Sequence, residues 1–367
     1  MAITPSSWQS CSTMDHHFHR VLAAGGYRVW HGLYCSVAAV YTVATYSDNQ
    51  RVCQVRMAPS AYAAALAALP VSLIEVRPRR TVAVFTRLNP SATTRIFFVH
   101  GSCASMIQFQ ACIEHFASSC EIVAYDFYGC GRSPKPRDWD AYSFEALKAD
   151  LVAIMQHYSS SSDKRNIIVA HSAGCALSLA AAADAEPALP LHGLCLMGGF
   201  ADRRPTHPVF YLPVKVLEYL QPTLSAGFAD RALHAKTRKG ETAAHRTLLE
   251  LSAEVSGGNE MHMCKAYYRQ MSAPPAEAIR RLGATRLPIM LMAGEADLLV
   301  PLASTSALNV LLPTAEMRVV PQTSHQMMQE NPEAVCTNVT DLIDRVSQQD
   351  QQNAGETVEL AAQVAGN

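Results

Sequence analysis

The chain has 367 residues, 49 % apolar and 17 % charged, with a formal net charge of −1. Such a chain buries a large core with room for an inserted segment. Its near-neutral charge gives no electrostatic reason to expect nucleic acid or a strongly anionic surface as partner.

The N-terminal stretch is read as an extension over residues 1–80 whose role the sequence does not specify. Met1 to Cys11 lacks a basic segment leading into an apolar run, so no secretory signal is expected. Asp15-His16-His17-Phe18-His19 reads as a polar part of a loose terminus rather than a metal site. Apolar and aromatic residues at 27–45 suggest one or two strands. The run at 34–46 is too short for a membrane span and is interrupted by Ser36, Thr42 and Thr45. Residues 60–69 read as an Ala-rich helix ended by Pro70, and Arg77-Pro78-Arg79-Arg80 as a solvated basic loop.

From residue 81 short apolar runs alternate with helical patterns. Strands are expected at 81–86, 95–99, 121–125, 166–170, 191–197, 287–293 and 317–320. Helices are expected at 104–117, from Ser143 onward, after 172 to about 184, and at 332–345. Ser143 is a good N-cap with Glu145 in the first turn, and Leu147, Leu151 and Ile154 form an apolar stripe. The alternation predicts an α/β fold with a mostly parallel sheet covered by helices on both faces. Residues 81–200 and 287–346 form the expected core, 201–286 a helical cap inserted over the sheet, and 347–367 a Gln-, Asn- and Ala-rich disordered tail. The 11 cysteines are scattered, odd in number and without a CxxC pair. That favours free thiols in a reducing, cytoplasmic setting over a disulfide frame or a zinc site.

Four segments carry candidate chemistry. Ala170-His171-Ser172-Ala173-Gly174 lies between an apolar strand and an Ala-rich helix. A serine there can sit on a sharp strand-to-helix turn, the nucleophile elbow G-x-S-x-G, with Ala170 in place of the first glycine. In isolation the same pattern fits a plain N-cap serine. A serine hydroxyl needs a base, and His325, after the last strand, is the candidate. Asp297, after the preceding strand, is the candidate acid that orients it. Both fall at strand C-termini, where open α/β sheets place their sites. The order Ser172, Asp297, His325 is the one expected of an elbow nucleophile and its partners. His100-Gly101 ends an earlier strand; the amide of Ser102, or alternatively Cys103, with that of Ala173, would form an oxyanion hole. The GxG within residues 126–133 lacks a third glycine, position 134 being Pro, and reads as a structural turn rather than a nucleotide loop.

These motifs, with Tyr142-Ser143-Phe144 and Gly294…Asp297…Val300-Pro301, resemble the α/β-hydrolase superfamily over about residues 81–345. Residues 225–229 (SAGFA) and 327–333 (MMQENPE) make the chain similar to the abhydrolase-domain-containing proteins, in the subgroup of their eighth member. The resemblance implies ester or lipid hydrolysis through a Ser–His–Asp triad, without metal or organic cofactor. It places a small-molecule ester or lipid as substrate and no nucleic acid. Some relatives carry an H-x4-D acyltransferase signature; here Gln329 stands four residues after His325 and Glu330 five, with no Asp at either, which speaks against acyltransferase activity. Thioester, carbon–carbon bond and peptide hydrolysis stay open on the same fold, as do a non-catalytic scaffold and peripheral membrane contact through the N-terminal segment, with Cys11 as a lipidation point. The oligomeric state is not legible.

Overall fold

A computed structural model describes residues 60–160, 163–184, 189–202 and 206–365, with side chains as far as 352. The strands expected at 27–45, the histidines at 16–19 and Cys11 lie outside the described residues.

The first element is helix α1 (Ala61–Ala68), capped by the Ser60 hydroxyl, which accepts from the Ala63 amide. Strands β1 (Ser72–Arg77) and β2 (Arg80–Arg87) form a hairpin. Then follow β3 (Thr94–Val99), α2 (Gln110–Phe116), β4 (Glu121–Tyr125), α3 (Phe144–Ser159), β5 (Arg165–His171), α4 (Ala173–Ala183) and β6 (Gly193–Met197). Five helices come next: α5 (Val214–Ala232), α6 (Ala235–Arg238), α7 (Ala243–Gly257), α8 (Met261–Gln270) and α9 (Ala276–Gly283). The chain closes with β7 (Ile289–Gly294), α10 (Leu302–Leu311), β8 (Glu316–Val320), α11 (Met327–Glu330) and α12 (Pro332–Ala365). The described strands form one sheet in the order β1-β2-β4-β3-β5-β6-β7-β8. The β1–β2 and β2–β4 pairs are antiparallel and the other five parallel.

The central strands are apolar on both faces because helices cover both. Their side chains alternate between two cores: Phe97, Val99, Ile168 and Ala170 enter one, and Ile96, Phe98, Ile167 and Val169 the other. The stripe of α3 behaves as its spacing predicts. Leu147, Leu151 and Ile154 are buried, and the Ser143 hydroxyl accepts from the Ala146 amide.

Three sequence expectations need correction. The sheet begins at Ser72, ahead of residue 81. Strand β1 lies on the sheet edge with Leu73 62 % exposed, so it lacks the apolar alternation that marks a strand. The basic run is not a solvated loop. Of its three arginines only Arg79, at φ 62°, occupies the turn, beside Pro78. Arg77 and Arg80 both donate to buried Asp150 on α3, each with a 2.7 Å contact, and Arg80 lies 3.9 Å over the Tyr128 ring. Two guanidiniums on one carboxylate satisfy a charge that would be costly to bury alone. Finally, α12 continues helical to Ala365 where 347–367 reads as disorder. Gln, Glu and Ala are good helix formers, and composition alone did not separate a polar helix from a loose tail.

The eight described cysteines are free thiols. No helix among the described residues is long and apolar enough to cross a membrane.

Candidate active site

The site lies at the C-terminal ends of β3, β5, β6, β7 and β8. Ser172 follows β5 directly and has φ 52° and ψ −117°, a conformation that L residues rarely adopt. It occupies the N-cap position of α4, yet its side chain makes no capping bond. The N-cap alternative left open by the sequence therefore fails, and the hydroxyl is free to face the cavity that Ser172 lines. The turn is held from behind by the Ser172 amide, which donates to Met197 O at 2.8 Å. Gly174 makes it possible: a Cβ there would lie 2.5 Å from Val99 O and 2.6 Å from His100 O. The first glycine of the motif is dispensable, since Ala170 fits as a fully buried strand residue.

Asp297 follows β7 and is buried. One carboxylate oxygen accepts from the amides of Leu299 and Val300, both at 2.8 Å. The other lies 2.7 Å from His325 Nδ1. Two amides and one ring nitrogen thus fix the carboxylate in one orientation. The ring nitrogen that faces it must carry the proton, which leaves Nε2 as the basic atom. The histidine loop is bolted down. The single Ser324 hydroxyl proton is shared between Ala296 O at 3.1 Å and Arg231 O at 3.2 Å, and its amide donates to Glu330 at 2.6 Å. Glu330 also accepts from the His234 amide and the Thr237 hydroxyl, so it joins the histidine loop to α6 and the residue before it. Glu330 stands where the acid of an H-x4-D signature would, as a glutamate engaged by these three donors, and the main-chain amide of Gln329 before it donates to Gln326 O.

Ser172 and His325 line one cavity of ≈ 240 Å³, together with Ser102, Ala173, Phe200 and Leu299. Ala173 is the first residue of α4, so its amide has no carbonyl within the helix to donate to. Ser102 faces the same cavity. The loop bearing it makes a tight approach at Gly101, where a Cβ would lie 2.8 Å from His171 Nδ1 and 3.2 Å from Ser172 Cβ. Glycine at 101 thus meets a need for space; the residue with positive φ in this loop is Cys103, at 49°. Cys103 is turned toward the cap: its sulfur lies 3.5 Å from that of Cys264 on α8, and its carbonyl accepts from Asn259. The GxG segment is the structural turn expected. Asp126 accepts from the amides of Met106 and Arg132 there.

Two histidines next to the site have roles that their sequence position does not disclose. His100 is fully buried. The Gly101 carbonyl 2.8 Å from its Nδ1 can only accept, so Nδ1 holds the proton, while Nε2 accepts from the Phe127 amide at 2.8 Å. His171 donates from Nε2 to the His325 carbonyl at 2.9 Å and so supports the main chain of His325. Burial lowers the His100 pKa to about 4 and that of His171 well below its ordinary value. The sign follows from proton binding. Below the ordinary value near 6.5 the unfolded chain takes up a proton that buried His100 does not, so stability falls as pH drops from 6.5 toward 4. The full loss from His100 is about 3 kcal/mol, with about 2 kcal/mol of it reached at pH 5. The urea midpoint is therefore expected to be lower at pH 5 than at pH 7; equal midpoints would contradict the neutral, buried assignment.

Among the described residues no group of three or more His, Cys, Asp or Glu side chains is placed to hold a metal ion.

A family model described as "Alpha/beta hydrolase family" matches residues 96–338, a span that includes every residue of this site. The chain belongs to the α/β-hydrolase family. Within the family it is similar to human Protein ABHD8, 28 % identical over 277 residues, which cover 71 % of this chain and 59 % of that protein. The chain thus spans about three fifths of the length of these curated relatives, and the subgroup suggested by residues 225–229 and 327–333 agrees with them. It is also similar to an uncharacterized hydrolase, YugF, of Bacillus subtilis, 24 % identical, with 70 % of this chain and 91 % of that one covered. Among solved α/β hydrolases, a thermophilic esterase from Thermogutta terrifontis superposes with a TM-score of 0.62. It is 18 % identical, and the match covers 76 % of this chain and 99 % of that one, a likeness that concerns the fold.

Proposed function

We propose that the chain is a serine hydrolase that cleaves carboxylic esters with an apolar acyl chain, using Ser172, His325 and Asp297. The observation that carries this reading is that His325, fixed by Asp297, lines the same cavity as a serine held at φ 52° whose hydroxyl makes no capping bond. Ser172 Oγ attacks the ester carbonyl carbon while His325 Nε2 takes its proton. Asp297 holds the tautomer and stabilises the imidazolium. The amides of Ser102 and Ala173 receive the oxyanion, each such donor being worth about 10²–10³ in rate. His325 then gives its proton to the departing alcohol oxygen. Water attacks the acyl-enzyme, with His325 again taking a proton and returning it to Ser172 as the acid leaves.

The acyl preference rests on a second cavity of ≈ 990 Å³ that shares Ser102, Phe210, Phe228 and Leu299 with the first. Val209, Leu224, Met261 and Tyr268 extend its apolar wall under the cap. Each methylene buried there contributes about 0.8 kcal/mol, roughly a fourfold gain in kcat/KM. Measured on 4-nitrophenyl esters from acetate to decanoate, kcat/KM is expected to rise with acyl length. A profile that falls beyond butyrate would contradict the acyl assignment, and no turnover of any ester would contradict the hydrolase reading.

A further inference from the structure

The two joined cavities hold one fixed charge among the described residues. Among the described residues that line them there is no aspartate or glutamate, and Arg231 is the one arginine or lysine, shared by both. The acids nearby are engaged: Asp297 with His325 and two amides, Glu330 with Ser324, His234 and Thr237, and Asp230 lies 3.7 Å from Arg238. The Arg231 guanidinium makes no ion pair or hydrogen bond with the described residues.

The main chain at Arg231 is nevertheless fixed. Arg231 stands in the last turn of α5, and its carbonyl accepts from the Ser324 hydroxyl at 3.2 Å. The next carbonyl, of Ala232, accepts from the Gln326 amide at 3.2 Å. These two bonds straddle His325. The main chain that carries the cation is therefore tied to the loop that carries His325, and the rest of the described wall mixes apolar side chains with polar ones that carry no fixed charge. An unpartnered arginine on an exposed helix end costs little when the cavity is empty. It gains a charge-assisted, two-pronged contact when an anion enters.

We infer that the substrate carries an anionic group, a carboxylate or a phosphate, and that Arg231 receives it while the apolar cavity holds the acyl chain. This deepens the hydrolase reading and rests on it for the word substrate. It makes Arg231 a specificity-determining residue without a part in the bond-breaking steps.

Binding can be measured without turnover. In Ser172→Ala protein, calorimetric titrations with dodecanoate, dodecyl phosphate and the neutral 1-dodecanoylglycerol are compared with and without Arg231→Met. The affinity for one or both anions is expected to fall about tenfold relative to the neutral lipid. A fall for the phosphate alone or the carboxylate alone supports the inference and names the anion. Equal effects on anionic and neutral lipids, or no effect, overturn it. With Ser172 in place, the KM of mono-4-nitrophenyl glutarate relative to that of 4-nitrophenyl butyrate should rise about tenfold in Arg231→Met. Arg231→Lys should restore part of it, with the kcat ratio unmoved. If neither ester is turned over by the native chain, the hydrolase reading fails, and the titrations alone still decide the role of Arg231.

Discussion

Ser172→Ala is expected to lower ester turnover by about 10⁶-fold, to a level set by binding and the oxyanion donors alone. The chain should stay folded, because the hydroxyl removed makes no capping bond and the strained backbone at φ 52° is held by the Met197 carbonyl and by the close packing at Gly174. Alanine can occupy the same φ/ψ at similar cost. Thermal unfolding and turnover measured on one preparation separate loss of chemistry from loss of fold. Turnover within tenfold of the native chain would remove Ser172 from the mechanism.

Asp297→Asn is expected to lower turnover by about 10⁴-fold with little change in KM. The cause is readable atom by atom. The Leu299 and Val300 amides both donate to one oxygen of Asp297 and will hold an amide oxygen in the same place. The new NH₂ must then face His325 Nδ1, across the present 2.7 Å contact. A donor there forces Nδ1 to accept, so the ring proton moves to Nε2, and the base loses the lone pair that Ser172 needs. The effect should appear in kcat, because the substitution leaves the cavity walls unaltered. A variant with native kcat would show that the carboxylate does not set the tautomer.

The parts of the site that the sequence disclosed are those written as strand ends. Ser172, Asp297 and His325 each follow a short apolar run, and their order restricts them to one arrangement. Ala170 in place of glycine weakened the local motif but has no structural cost, because the close contact of the elbow is made at Gly174. The residues that escaped sequence reading act across the fold. His171 is adjacent to Ser172 in the chain, yet its partner is the carbonyl of His325, 154 positions away. His100 works through Phe127, and Glu330 through His234 and Thr237. Arg77 and Arg80 looked like a surface cluster because their counter-charge, Asp150, lies about seventy residues on. Such pairings have no local signature. Strand β1 was missed for a different reason: at the sheet edge its exposure pattern carries no period of two. Arg231 gives no sequence signal either. Its distinction is that no carboxylate lines the cavity beside it among the described residues, a property of the assembled fold.

The central claim is that Ser172 is an activated nucleophile, and covalent labelling tests it most directly. The full chain is treated with a fluorophosphonate, digested, and the adduct located by mass spectrometry. The expected result is a single phosphonate on the peptide that contains Ser172, slowed in Asp297→Asn and absent from Ser172→Ala. An adduct on another residue, or equal labelling of the native and Ser172→Ala chains, would contradict it.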